Sequence, residues 1–122
     1  MVRNGIDVVS SAGKLGWGEL GALSYNWKGL IEQTRIAMQD YPEFYLELRY
    51  EELLKNPQKV LDQVLTFTGL EPHGANIVAG FKEDFGPNAF DQSKIVSQTL
   101  LGAADLDNFN KIAGDLQAEL GY

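Results

Sequence analysis

One short run between two helical patterns most constrains the fold that this chain can adopt. In residues 44–50, the apolar side chains of Phe44, Leu46 and Leu48 alternate with polar or aromatic ones. This is the two-residue period of a β-strand. The pattern therefore predicts a short strand that ends at Tyr50. In open α/β sheets, ligands bind outside the carboxyl ends of strands, so Tyr50 is a candidate binding residue.

Helical patterns account for most of the remaining chain. Apolar residues recur every three or four positions over 19–38, 56–69 and 106–120, which predicts three main helices. Trp27 lies on the apolar stripe of the first of these helices, and we expect it to be a core residue. A shorter helix is expected within 71–88, and loops are expected at 12–18 and 87–104. Together these elements predict a helix-rich α/β fold with one or two short parallel strands, in a single domain over residues 1–122.

The first eleven residues are the strongest candidate for a binding site. Arg3 precedes an Asn-Gly pair, and Ser11 follows after two helical turns, which is typical of a strand end, a tight turn and a helix start. A phosphate suits such a corner, because a helix start is electropositive and a guanidinium offers a fork of donors. A surface arginine and an ordinary helical serine explain the same spacing, so both interpretations stay open at this point.

Composition excludes several kinds of function. The net charge is −7 and the chain has no cysteine, so neither a basic stripe for nucleic acid nor a thiolate metal site is expected. His73 is the only histidine, and no neighbouring ligand pattern accompanies it, which argues against a metal site. No apolar run approaches the roughly 20 residues of a membrane span, and no leader peptide is evident, so we expect a cytoplasmic protein that does not bind membranes.

Four short segments, in order, resemble those of PAPS-dependent sulfotransferases. The segment Val2–Ser11 is similar to the family's V-R-[DN]-G-R-D-V-V-x-S. Residues 48–57 resemble its R-Y-E-D-L…-x-P, residues 64–70 its F-L-G-L, and the closing Leu120-Gly121-Tyr122 the L-G-Y that often ends bacterial members. The chain is therefore expected to be the C-terminal part of a P-loop-like sulfotransferase domain.

The resemblance implies a ligand and a reaction. Arg3 and Ser11 match the residues that hold the 3′-phosphate of PAPS or adenosine 3′,5′-bisphosphate, and Tyr50 matches a tyrosine near the adenine. The implied reaction transfers a sulfuryl group from PAPS to a hydroxyl or an amine. Lys94 is the one late basic residue that we match, as a guess, to the family's remaining 3′-phosphate contacts.

The departures from the family limit this expectation. The family's phosphate-binding loop and catalytic base lie before the V-R-D-G segment, and no segment of this chain matches them. Ile6 also stands where the family often has a basic residue. We therefore expect a partial domain, derived from a naturally short protein or a truncated gene, that binds PAPS weakly and is not catalytic alone. A sheet cut at its middle predicts a homo-oligomer or a complementary N-terminal half as partner. The alternative function is a non-catalytic helical module that binds other proteins.

Overall fold

The computed structural model describes residues 1–91, 93 and 101–122, and this part of the chain is helical. It contains six α-helices, and a short 3-10 helix lies at Pro42–Phe44. The α-helices are α1 (Gly5–Lys14), α2 (Leu20–Met38), α3 (Tyr50–Lys55), α4 (Pro57–Phe67), α5 (Gly74–Phe85) and α6 (Ala103–Glu119). They fall into two compact units, one formed by α1, α2 and α6 and the other by α3, α4 and α5.

The predicted α/β fold is wrong, because the described residues contain no strand and no sheet. The run 44–50 begins within the 3-10 helix, and Tyr50 starts α3 instead of ending a strand. One isolated parallel bridge joins Val2 to Arg49, in which Val2 N donates to Leu48 O and Tyr50 N donates to Val2 O, both at 2.7 Å. An alternating pattern makes a strand only where a neighbouring strand pairs along it, and here the pairing covers a single residue.

The helix predictions are confirmed, since the three main helices and the shorter fourth helix are all present. Pro57 opens α4, and Gly69 follows its end with a φ of +77°, a left-handed conformation that favours glycine. The predicted loop at 12–18 begins too early, because α1 continues to Lys14. Of the predicted loop at 87–104, positions 92 and 94–100 lie outside the described residues, and its last two positions already belong to α6.

The α1–α2–α6 unit is built around one aromatic pair. Phe109 and Trp27 are almost fully buried, at 1% and 7% exposure, with ring centroids 5.9 Å apart. On α6, Phe109, Ala113 and Leu116 recur at helical spacing and face this core together with Val9 of α1. Burying each large side chain stabilises the fold by roughly 1.5–3 kcal/mol. The expectation that Trp27 is a core residue is confirmed.

The α3–α4–α5 unit has a smaller core. Leu54 and Val60 are its buried apolar side chains on these helices. The side chain of Asp62 on α4 accepts a hydrogen bond of 2.7 Å from the backbone N–H of Gly74, the first residue of α5. This bond ties the two helices together and satisfies one of the four N–H groups that a helix start leaves without helical partners.

Candidate functional site

Helix α1 begins at a capped start and not at the tight turn predicted from the Asn-Gly pair. The side chain of Asn4 accepts hydrogen bonds from Ile6 N (3.0 Å) and Asp7 N (3.4 Å). Gly5 N donates to the buried side chain of Gln117 on α6 (2.9 Å), whose amide in turn donates to Asn4 Oδ1 (3.0 Å). Three N–H groups of the first turn therefore already have acceptors within the protein, and any ligand at this corner depends on side chains.

Arg3 lies directly before this start. Its carbonyl oxygen accepts a hydrogen bond of 3.3 Å from the indole N–H of Trp27, which fixes its backbone against the core. Its guanidinium Nη2 lies 3.9 Å from Asp7 Oδ2, and the two side chains are 35% and 9% exposed. The arginine side chain therefore reaches over the first turn of α1, and its guanidinium remains partly accessible to solvent.

Ser11 lies on the same side of α1, four residues after Asp7 and eight after Arg3. Residues four apart in a helix lie above one another, so Ser11 lies about 6 Å along the axis beyond Asp7. Ser11 is exposed. The structure thus aligns a guanidinium, a carboxylate and a hydroxyl along α1, and this carboxylate is a feature that the sequence-based description of the site did not consider.

The third predicted contact belongs to the other unit. Tyr50 is the first residue of α3 and is half-buried. Its backbone N–H is engaged by Val2 O, as described for the bridge. Lys94, the guessed further contact, lies outside the described residues.

Sequence reasoning missed a second polar region in the α1–α2–α6 unit. A cavity of about 530 Å³ lies where α1 ends and α2 begins. Its lining residues are Ser10, Gly13, Lys14, Gly16, Gly18, Glu19 and Leu20. The signal in the sequence is a lysine four residues after a serine, within the glycine-rich segment at 12–18 that is expected to be a loop.

The described residues contain no group of three or more His, Cys, Asp or Glu side chains placed to hold a metal ion. None of the helices in the described ranges combines the length and the apolar composition needed to cross a membrane. No family model matches the chain, and no curated protein or solved structure matches it either.

Proposed function

We propose that α1 binds the 3′-phosphate of a phosphoadenosine ligand through the Arg3 guanidinium and the Ser11 hydroxyl. One observation carries this proposal: the guanidinium lies beside Asp7, so the arginine side chain extends along α1 towards Ser11, one turn further on. A phosphate between them receives a charge-assisted hydrogen bond from the arginine and a neutral one from the serine. The segment similar to that of PAPS-dependent sulfotransferases supplies the identity of the ligand.

The proposed wider role is the donor-binding portion of a sulfotransferase. In such a protein the donor's 3′-phosphate is an anchor, and the sulfuryl group moves at the other end of the nucleotide to a hydroxyl or an amine. Neither Arg3 nor Ser11 acts on the transferred group in this arrangement. We therefore propose donor binding without turnover by this chain alone.

Tryptophan fluorescence tests the proposal directly, because the Trp27 indole contacts the backbone of Arg3. Trp17 is 72% exposed, so a Trp17→Phe background removes its solvent-sensitive emission. We expect saturable quenching or enhancement with adenosine 3′,5′-bisphosphate. Arg3→Gln should weaken binding by about 10- to 100-fold, because the lost hydrogen bond to a charged group contributes that much to affinity. Ser11→Ala should weaken it by about 3- to 10-fold.

Two further variants separate a local contact from a general charge effect. Arg35→Gln removes an arginine on α2 that pairs with Glu119 at 2.7 Å, and it should leave affinity nearly unchanged. Asp7→Asn removes the negative charge beside Arg3 and should tighten binding. An equal loss in the Arg3 and Arg35 variants, or no saturable signal at millimolar ligand, contradicts the proposal.

A second candidate function, a helical module that binds other polypeptides, is favoured by α5. Ile77, Phe81 and Phe85 recur every four residues on one side of this helix and are 42%, 41% and 68% exposed. The rings of Phe81 and Phe85 lie 4.4 Å apart, centroid to centroid. An exposed aromatic stripe of this kind is typical of interaction surfaces, and a second copy of the chain is the partner that we propose.

Sedimentation velocity over a concentration series tests this candidate. We expect the average mass of the native chain to rise with concentration, because pairing two copies buries the stripe. Phe85→Asp should hold the protein at monomer mass. Leu30→Asp, which places the same charge at a 69% exposed position on α2, should behave like the native chain. A native chain that stays monomeric at all concentrations, or a Leu30 variant that dissociates as fully, removes this candidate.

A further inference from the structure

We propose that the cavity between the end of α1 and the start of α2 binds a phosphate group that carries a proton. The cavity measures about 530 Å³, which is ample for one tetrahedral oxyanion with water. Its polar groups are the Ser10 hydroxyl, the Lys14 ammonium, the Glu19 carboxylate and the first N–H groups of α2. This site is separate from Arg3 and Ser11 and does not rest on the function proposed for them.

The first argument is Ser10. This residue forms part of the cavity wall and is only 7% exposed. Its hydroxyl has no hydrogen-bond partner in the part of the chain that the structure describes. Helical serines commonly satisfy the hydroxyl on a carbonyl one turn back, and buried polar groups without partners are rare. A ligand oxygen in the cavity gives this hydroxyl a partner after a change of one side-chain rotamer.

The second argument is the start of α2. Its N-cap residue, Glu19, makes no side-chain bond to the first turn, in contrast to the fully capped start of α1. The helix is 19 residues long, so its first turn carries a developed partial positive charge and several N–H groups that lack helical acceptors. Such a start favours an anion.

The third argument is that Lys14 and Glu19, two side chains of opposite charge, both line the cavity. Side chains of a helix lean towards its N-terminus, which directs the exposed Lys14 over Ser10, four residues earlier. Neither Lys14 nor Glu19 has a salt bridge among the described residues.

The ammonium attracts an oxyanion, whereas the carboxylate repels one unless the ligand donates a proton to it. Inorganic phosphate carries one or two protons near neutral pH, because its second ionisation falls near neutrality and its last proton leaves only in strong alkali. Sulfate has none, so Glu19 should select phosphate over sulfate.

Amide chemical shifts of the ¹⁵N-labelled full chain test the site, with inorganic phosphate and sulfate as the two probes. We expect saturable shifts at Gly16, Gly18 and Leu20 with phosphate, and at least about tenfold weaker binding of sulfate, the discrimination of one hydrogen bond to a charged group. Lys14→Gln and Ser10→Ala should each weaken phosphate binding several-fold. Glu19→Gln should make the affinities for phosphate and for sulfate nearly equal.

Control variants make the outcome decisive. Lys111→Gln removes an exposed lysine that pairs with Asp107 on α6, and it should bind phosphate as the native chain does. Arg3→Gln should also retain these shifts, which separates this site from the one at the start of α1. The proposal is overturned by equal affinity for sulfate and phosphate in the native chain, by loss of the shifts in the Arg3 or Lys111 variant, or by no saturable shift at millimolar phosphate. Ser10→Ala should fold, since it removes a buried hydroxyl that lacks a partner.

Discussion

Phe109→Ala should lower the free energy of unfolding by about 3–5 kcal/mol. The ring is 1% exposed and contacts Trp27 at the centre of the α1–α2–α6 unit, so its removal forfeits burial and leaves a cavity that neighbouring helices fill only in part. A domain of this size is stable by only about 5–15 kcal/mol. We therefore expect denaturation by urea to shift to a much lower midpoint, measured by circular dichroism.

The same truncation at an exposed phenylalanine provides the control. Phe85→Ala removes a ring that is 68% exposed, so it should change stability by less than about 1 kcal/mol. If Phe109→Ala fails to fold, Phe109→Leu keeps most of the volume and should cost about 1–2 kcal/mol. Equal midpoints for the Phe109 and Phe85 alanine variants contradict the placement of Phe109 at the core.

Gly5→Ala is the second substitution with a large expected effect, because a methyl group has no room at this position. A Cβ atom at Gly5 lies 2.7 Å from Phe109 Cζ and 2.9 Å from two ring atoms of Trp27. All three contacts are with buried rings that have little freedom to shift. We expect a loss of about 1–3 kcal/mol of stability from overpacking, measured by urea denaturation.

Gly13→Ala, on the same helix, should instead raise the free energy of unfolding. The nearest atom to a Cβ there is Leu20 Cδ2 at 3.4 Å, the far end of a flexible side chain. Replacing glycine by alanine within a helix gains about 0.5–1 kcal/mol. A Gly5 variant as stable as the Gly13 variant contradicts the close approach of α1 to the Trp27–Phe109 pair.

The sequence predicted elements whose signals are local. The helix at 57–67 has a proline at its first position and a glycine just after its end, and both constrain the backbone directly. Trp27 was predicted to be buried because it lies on a three- and four-residue stripe. Each of these features is determined by neighbouring residues and does not depend on distant parts of the chain.

The strand at 44–50 failed because strands depend on distant partners. Apolar and polar residues do alternate over 44–50, but Phe44 is 70% exposed. The apolar side chains of this run therefore do not form the buried face of a sheet. Among the described residues, only Val2 pairs with this segment, through the two bonds of one bridge. Pairing partners are set by tertiary structure, which a periodic pattern does not encode.

The candidate site was predicted in part. The sequence predicted a corner at which Arg3 precedes a helix start and Ser11 follows in its first turns, and Arg3 does lie just before α1 and Ser11 within it. The sequence did not predict that Gln117, more than 100 residues away, occupies the N–H of Gly5, nor that the Ser10 hydroxyl is buried without a partner in the described residues. Both depend on how α6 and α2 pack on α1, which no local pattern specifies.

The most direct measurement of the central claim is a thermodynamic cycle of two proteins and two ligands. Calorimetric titration compares the native chain with Arg3→Gln, each with adenosine 3′,5′-bisphosphate and with adenosine 5′-monophosphate, which lacks the 3′-phosphate. If Arg3 contacts that phosphate, the substitution should weaken bisphosphate binding by about 10- to 100-fold and monophosphate binding by less than about twofold, a coupling of roughly 1–2.7 kcal/mol. Equal losses for the two ligands, and hence zero coupling, would show that Arg3 does not hold the 3′-phosphate.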